Sequence, residues 1–139
     1  MRPERGTADL VGVGLAAFAV VNVAMGLYAA IDPGSFYDTV GPFGPRNDHY
    51  ARDAAGAMQG SLGVAMAVAY FRPSWRVGVL GYGVLHYAFH ALNHLVDVDE
   101  ADPKSVGVLD FVFLTGGAVL LAYLLVRASR EARAGVPPP

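Results

Sequence analysis

The sequence predicts an all-α integral membrane protein, a bundle of four helices that each cross the bilayer. Of its 139 residues, 54% are hydrophobic and only 16% are charged, which is too apolar for an ordinary soluble domain. The apolar residues fall into four segments of membrane-spanning length, and prolines separate these segments. The whole chain, residues 1–139, is therefore predicted to be one transmembrane domain.

The four predicted spans have the length that the hydrocarbon core of a bilayer requires, roughly 20 residues. They cover residues of about 10–31, 53–71, 77–98 and 106–126. Each connection carries a proline at or beside a helix end, and these are Pro33, Pro73 and Pro103. The first span follows Arg2 and Arg5, as a signal peptide would. Its apolar run is longer than the usual 7 to 15 residues, so it is predicted to be retained.

The distribution of basic residues predicts the orientation, because Lys and Arg near span ends stay preferentially in the cytoplasm. If the spans alternate in direction, seven of these residues fall on one side and three on the other. The seven are Arg2, Arg5, Arg72, Arg76, Arg127, Arg130 and Arg133, and the three are Arg46, Arg52 and Lys104. We therefore expect a cell-membrane protein with both termini in the cytoplasm.

Charge and cysteine content exclude some functions. The net charge is −2 and the chain has no basic region, so nucleic acid is not expected as a partner. The chain has no cysteine, so it forms neither disulfides nor thiolate metal sites. Any metal ion would be held by histidine, carboxylate or carbonyl groups.

The first outer loop, residues 32–52, is rich in glycine and proline and carries four aromatic side chains. These are Phe36, Tyr37, Phe43 and Tyr50. A long loop with so many aromatic residues is expected to pack against the helices rather than to extend freely. We predict that it covers the outer mouth of the bundle as a lid.

The third span contains the most unusual stretch, LHYAFHALNHLVD at residues 85–97. Its polar residues lie within roughly a third of the helix circumference, on one face. They are His86, His90, Asn93, His94 and Asp97. The opposite face is apolar, with Leu80, Ala88, Ala91, Leu92, Leu95 and Val96. The polar face is predicted to point into the bundle and to climb from mid-membrane at His86 to the outer surface at Asp97.

The other spans also carry residues typical of bundle-facing positions. The second has a stripe of mostly small residues, Asp53, Gly56, Gly60, Gly63 and Ala67, which allows close approach of another helix. Asn22 of the first span is expected to make an interhelical hydrogen bond. Asp110 of the fourth span lies on a stripe with Gly107 and Gly117, which also predicts an inward position.

These polar groups predict a metal site in the outer half of the bundle. An Asp at membrane depth costs about 2.5 to 3.5 kcal/mol, so several such groups imply mutual pairing or a bound ion. His86 and His94 are about 12 Å apart along the helix and cannot share an ion, whereas His90 and His94 form a helical HxxxH pair. Asp110 is the preferred third ligand for zinc or iron, followed by Asp53 or His49. Whether such a protein is an enzyme or an accessory subunit stays open.

Three other interpretations of the polar stripe are open. It could only pack helices or dock subunits, in a homo-oligomer or a larger membrane complex, at about 1 kcal/mol per hydrogen-bonded pair. The row His86, His90, His94 and Asp97 could instead conduct protons or ions. Haem is disfavoured, because the only candidate for a second axial ligand on another helix is His49, at the membrane edge.

Two stretches resemble known membrane proteins. The run GLYAAIDPGSFYDTVG followed by HYARDAAGAMQGSLGVAMAVAY is similar to small four-span bacterial proteins grouped loosely as DoxX-like. The string HYAFHALNHLVD resembles one found in uncharacterised actinobacterial membrane proteins. The resemblance covers residues of about 25–125 and implies a four-span fold but no established reaction.

Overall fold

The computed structural model describes residues 9–135, and this part of the chain is helical with short connections. Its five helices are α1 (Leu10–Ile31), α2 (Pro33–Thr39), α3 (Asp48–Phe71), α4 (Arg76–Val96) and α5 (Lys104–Arg133). The prediction of an all-α fold is confirmed. Arg2 and Arg5, which entered the orientation argument, lie outside the described residues.

The helix bounds differ from the predicted spans mainly in α3 and α5. Helix α3 begins at Asp48, because Asn47 accepts a hydrogen bond from the N–H of Tyr50 and caps it. Helix α5 continues to Arg133, since neither glycine nor proline interrupts the chain between Gly117 and Gly135. Proline begins α2 at Pro33 and the short 3₁₀ turn Pro73–Trp75 that leads into α4.

Three of the helices, α1, α3 and α5, are long and apolar enough to cross a membrane. Helix α4 has 21 residues, but its histidines and Asn93 lower its mean hydropathy, and it does not join this group. Its large apolar side chains are nevertheless exposed on one side of the helix, and they include Leu85, Phe89, Leu92 and Val96.

The prediction that the apolar residues of α4 lie together on one face, opposite the histidines, is wrong in part. Leu80 and Ala91, which the sequence placed opposite the histidines, are buried in the protein interior. The buried face of α4 is formed by Leu80, Gly83, Tyr87 and Ala91 and therefore lies beside the histidine stripe. Helix α4 therefore packs through these four residues and not through its histidines.

The interior is one continuous apolar core to which the four long helices all contribute. The largest fully buried apolar side chains are Leu15 of α1, Leu62 and Met66 of α3, Leu80 of α4 and Leu121 of α5. Helix α1 packs along α3, and α4 packs along α5. The core therefore joins two helix pairs into one unit.

The glycine stripe of α3 brings α1 and α3 into close contact, as the sequence predicts. A Cβ at Gly26 of α1 would lie 2.5 Å from the backbone nitrogen of Gly60. A Cβ at Gly63 would lie 2.6 Å from the backbone nitrogen of Val23. Because backbone atoms cannot move aside cheaply, only glycine fits at these crossing points.

The two ends of the fold have different contacts, by which we name them. Arg76, at the start of α4, donates hydrogen bonds of 3.1 and 2.8 Å to the Asp9 carboxylate, which caps α1. At the opposite end, Phe43 forms an isolated antiparallel bridge with Ala101, and the N–H of Asp102 donates to the carbonyl of Pro42. We call these the Arg76 end and the lid end.

Candidate functional site

A cavity of about 660 Å³ lies at the lid end, between the helices and the connections that cross them. Its apolar part is formed by Phe18, Val21 and Met25 of α1 together with Phe113 and Leu114 of α5. The remaining lining comes from α3, from the end of α4 and from the segment between α1 and α3. One cavity thus has both an apolar and a polar wall.

The polar wall contains five of the nine predicted site residues. His90, Asn93, His94 and Asp97 line it from α4, and Asp110 lines it from α5. Residues three and four apart on a helix face one direction, which explains why this sequence of α4 presents its polar groups together. The structure therefore brings these residues to one cavity.

His90 and His94 interact directly. Their Nε2 atoms are 3.1 Å apart, so the ring that carries a proton on Nε2 donates it to the other ring. The Nδ1 atoms of both rings are buried and have no hydrogen-bond partner among residues 9–135. An unpartnered buried polar atom of this kind costs about 1 to 3 kcal/mol, so the pair carries unsatisfied hydrogen-bonding capacity.

His86 and Asn22 lie behind the cavity wall and support residues that form it. The Nε2 of His86 is 2.7 Å from the Oε1 of Gln59, to which it can donate. Asn22 is fully buried, and its Nδ2 donates to the hydroxyl of Tyr87 at 3.0 Å. Gln59 and Tyr87 both line the cavity. The predicted interhelical hydrogen bond of Asn22 is thereby confirmed.

The segment between α1 and α3, together with the first residues of α3, lines the cavity, and we call residues 33–50 the lid segment. Its four aromatic residues, Phe36, Tyr37, Phe43 and Tyr50, all line the cavity. The ring of Phe43 stands edge-on to His94, with the ring centres 4.5 Å apart. Phe36 stands edge-on to Tyr28 of α1, with ring centres 5.6 Å apart, so the predicted packing against the helices is confirmed for Phe36 and Phe43.

Local hydrogen bonds fix the lid segment. Asp32 accepts from the N–H of Ser35 at the start of α2, and this bond lowers the pKa of the Asp32 carboxyl. Arg46 donates to both carboxylate oxygens of Asp48, at 2.6 and 3.0 Å, and so holds the pKa of Asp48 below its usual range. Tyr28 of α1 shares a hydrogen bond of 2.9 Å with Thr39.

His49 and Asp53 lie away from the cavity. Their side chains are 86% and 69% exposed, and they contact each other with His49 Nε2 3.4 Å from Asp53 Oδ2. Asp53 points away from the cavity because it lies in a π-helical stretch, Ala51–Gln59, within α3. Hydrogen bonds from i to i+5 widen each turn there, so Asp53 does not share the direction of Gly56 and Gly60 that α-helical spacing predicts.

The cavity offers only a partial set of metal ligands. Among the side chains of residues 9–135, no group of three His, Asp or Glu is arranged to hold one metal ion. The His90 and His94 Nε2 atoms are the closest approach to such a group. The predicted role of Asp110 as third ligand stays a prediction.

The cavity lining also includes polar residues that were not predicted from the sequence, among them Gln59, Tyr87 and Glu100. Gln59 stands three residues after Gly56 and four before Gly63, next to the glycine stripe. This spacing predicts that its side chain faces the interior. Tyr87 stands four residues before the buried Ala91, on the packed face of α4. Glu100 lies in the connection after α4, where no helical periodicity predicts the direction of a side chain.

The charges on the cavity wall are of one sign. Asp97, Glu100 and Asp110 line the cavity, and among residues 9–135 no Lys or Arg lines it. Such a space can hold a small molecule with an apolar body and a polar end. Comparisons of the chain with models of protein families, with curated proteins and with solved structures give no match, so the resemblance to DoxX-like proteins stays a prediction.

Proposed function

We propose that this is an integral protein of the cell membrane that spans the bilayer four times and binds a small amphiphilic molecule in the cavity at its lid end. Both termini lie in the cytoplasm and the lid segment faces outside. The observation that carries the proposal is the cavity of about 660 Å³, whose lining combines apolar side chains with histidine, asparagine and carboxylate groups.

Four crossings, rather than three, are supported by the sidedness of α4. Its exposed side carries large apolar residues such as Leu85 and Phe89, which suit contact with lipid acyl chains. Four of its polar residues, His90, Asn93, His94 and Asp97, line the cavity instead. Mean hydropathy averages over both sides and therefore understates how well α4 suits a membrane.

The orientation is supported by the charges at the Arg76 end. Arg72 and Arg76 flank the turn between α3 and α4, and Arg130 and Arg133 lie in the last turns of α5. Leu124 of α5 packs over Gly14 of α1, so the end of α5 lies near the start of α1. Among residues 9–135, five basic residues belong to this end and three, Arg46, Arg52 and Lys104, to the lid end. The end with the excess is the cytoplasmic end by the positive-inside rule.

The size and lining of the cavity support a small-molecule ligand. Binding sites for such ligands are typically 300 to 1,000 Å³, mainly apolar, with a few polar groups that orient the ligand. Here the apolar groups come mainly from α1 and α5, and the polar groups that orient a ligand come from α4 and α5, among them Asn93 and Asp110. The aromatic residues of the lid segment complete the lining.

Protection of a cysteine tests whether the cavity takes such a molecule. Because the chain has no cysteine of its own, Ala54→Cys places a single thiol in the cavity lining. Triphenylphosphine oxide serves as the probe, since it has an apolar body and one hydrogen-bond acceptor. At a probe concentration about ten times Kd, we expect alkylation of this cysteine to slow about tenfold.

The matched control is Ala57→Cys. Ala57 is on the same helix and is exposed, and it does not line the cavity. Its alkylation rate should not change with the probe. Equal slowing at both cysteines would indicate a general effect of the probe on detergent or lipid, and no slowing at Ala54→Cys would contradict the proposal.

A second candidate function, a zinc or iron site, is favoured by one distance. Two nitrogens that each lie 2.0 to 2.1 Å from a tetrahedral zinc ion are roughly 3.3 Å apart. The Nε2 atoms of His90 and His94 are 3.1 Å apart, close to that value. The remaining ligands would be Asp110 or a molecule in the cavity. This candidate ranks second, because histidine ligands normally donate their other ring N–H and neither Nδ1 has a partner among residues 9–135.

Elemental analysis of the purified protein tests the metal site. After expression with added zinc or iron, a metal site predicts close to one ion per chain, and His90→Ala should abolish it. His86→Ala is the control, since His86 bonds to Gln59 and does not line the cavity. A metal content that is negligible, or that is equal in both variants, would exclude this candidate.

A further inference from the structure

The carboxylates of the protein differ in whether a basic side chain compensates them. Away from the cavity, four of the eight carboxylates among residues 9–135 pair with Arg or Lys, and these are Asp9, Asp48, Asp99 and Glu131. The three that line the cavity, Asp97, Glu100 and Asp110, make no ion pair with Arg or Lys of residues 9–135. The negative charge at the cavity is therefore uncompensated.

The position of Asp110 makes this lack of compensation costly. It lies on α5, one of the helices that are apolar enough to cross a membrane, and its neighbours in the cavity lining include Phe113 and Leu114. A carboxylate in apolar surroundings is stable only with an opposite charge or strong hydrogen bonds nearby. His90 and His94 occupy each other with one hydrogen bond, so they do not supply that charge.

The lid segment adds groups that favour a positive charge. Tyr37, Phe43 and Tyr50 line the cavity, and aromatic faces attract cations through the ring quadrupole. This attraction strengthens as the cation is desolvated. Aromatic rings and uncompensated carboxylates in one cavity favour the same type of ligand.

We propose that the cavity selects a lipophilic organic cation, a molecule with one positive charge and an apolar body, such as a hydrophobic amine or a quaternary ammonium or phosphonium ion. The inference rests on the proposed ligand cavity and specifies the charge of its ligand. The carboxylates attract the charge, and the apolar wall of α1 and α5 accepts the body. A small inorganic cation would leave that apolar wall without a partner.

Two ions of nearly equal shape test the charge preference, tetraphenylphosphonium and tetraphenylborate. Their binding is measured by protection of the cysteine in Ala54→Cys, with and without a second change, Asp110→Asn. We expect Asp110→Asn to weaken tetraphenylphosphonium binding about tenfold or more, as expected for the loss of one opposite charge in surroundings of intermediate polarity. Binding of tetraphenylborate should strengthen, and binding of neutral triphenylphosphine oxide should stay within about twofold.

Asp99→Asn is the control for net charge. It removes the same charge from a carboxylate that pairs with Lys104 at 3.0 Å and does not line the cavity. Each ion partitions equally into detergent with every variant, so ratios between variants do not depend on partitioning. If Asp110→Asn does not fold, Glu100→Gln replaces it, because Glu100 is exposed and lines the cavity.

The outcomes separate this inference from the proposed function. If all three probes protect the cysteine and neither Asp110→Asn nor Glu100→Gln changes the preference between the two ions, the charge inference is wrong and the cavity proposal stands. If none of the three probes protects the cysteine, the proposed function is wrong as well. A loss of tetraphenylphosphonium binding in Asp99→Asn of the same size would also overturn the inference.

Discussion

Asn22 and Tyr87 form a polar contact in the interior of the protein, between α1 and α4. Asn22 Nδ2 donates to Tyr87 at 3.0 Å and to the carbonyl of Phe18 at 2.7 Å, so it bonds within its own helix as well. The ring of Tyr87 packs edge-on against Phe18, with ring centres 5.5 Å apart. The contact fixes which faces of α1 and α4 meet.

Removing the Tyr87 hydroxyl tests the strength of this contact. Tyr87→Phe takes away a partner of Asn22 and leaves the ring packing in place, so we expect the free energy of unfolding to fall by about 1 kcal/mol. Denaturant titration in detergent measures it. Tyr82→Phe, at a half-exposed position on the same helix, should change stability by less than about 0.5 kcal/mol. Equal effects of the two changes would contradict this role.

The ion pair at the Arg76 end combines two functions in one carboxylate. Asp9 caps α1 by accepting from the N–H of Gly12 at 2.8 Å, and it also receives both hydrogen bonds from Arg76. Burial raises the pKa of Asp9, but the hydrogen bonds from Arg76 and Gly12 outweigh it, so the pKa lies below its ordinary value. The side chain of Arg76 is 8% exposed and that of Asp9 is 28% exposed.

Asp9→Asn should lower stability and its dependence on pH. Asparagine can still cap α1, but it leaves buried Arg76 without a counter-charge, so we expect a loss of about 2 kcal/mol at pH 7. Because the folded pKa is lowered, the carboxylate stabilises the fold above the ordinary value of 3.8 and loses this effect as the pH falls through the folded pKa. The difference between wild type and variant should therefore shrink below about pH 4.

Thermal unfolding at neutral and acidic pH measures this difference. Asp38→Asn is the control, since Asp38 is exposed and forms no ion pair with Arg or Lys of residues 9–135. It should leave the pH profile unchanged. A stability difference for Asp9→Asn that stays constant from pH 7 to about pH 3 would contradict the assigned role of the carboxylate.

At the scale of elements, the crossing of α1 and α3 depends on the absence of a side chain. Gly26→Ala would place its Cβ 2.5 Å from the nitrogen of Gly60, so the helices must separate. We expect a loss of about 1 to 3 kcal/mol, the usual cost of overpacking. Gly78→Ala is the matched control, because a Cβ at Gly78 of α4 meets no atom within 4 Å. It should be neutral or slightly stabilising in the same denaturant titration. Equal effects at the two positions would show that the change in stability comes from helix propensity and not from the contact between α1 and α3.

The elements also explain how much the sequence could predict. The bounds of α1 were predictable, because Asp9 and Pro33 flank a continuous apolar run. The π-helical stretch Ala51–Gln59 was not predictable, because the spacing of residues in a helical sequence is interpreted with the α-helical period. That difference accounts for Asp53, which was predicted as a metal ligand and lies on the exposed surface beside His49.

The candidate site was predictable where it depends on one helix. His90, Asn93, His94 and Asp97 share a face of α4, and the α-helical period gives their common direction. Glu100, and the contact of Phe43 with His94, depend on how the connections at the lid end fold over the helices. Those contacts join residues far apart in the sequence, and local patterns do not contain that information.

At the scale of the whole molecule, the two ends differ in chemistry. The Arg76 end carries the Asp9–Arg76 pair and the basic last turns of α5. The lid end carries the cavity, three uncompensated carboxylates and an aromatic cover. In a membrane, such a difference sets orientation, because basic residues are retained on the cytoplasmic side, whereas acidic residues contribute little. The cavity would then open toward the outside of the cell.

Labelling of single cysteines in intact cells tests this orientation. Asp38→Cys lies in α2 of the lid segment and Ser74→Cys in the turn between α3 and α4, and both positions are exposed. The chain has no other cysteine, so labelling reports only these sites. With a membrane-impermeant maleimide, we expect Asp38→Cys to react in intact cells and Ser74→Cys to react only after permeabilisation. The reverse pattern would place the lid segment in the cytoplasm and invert the orientation. Reaction of both cysteines in intact cells would place the two ends on the same side and contradict a chain whose helices each cross the membrane, because Asp38 and Ser74 belong to opposite ends of the fold.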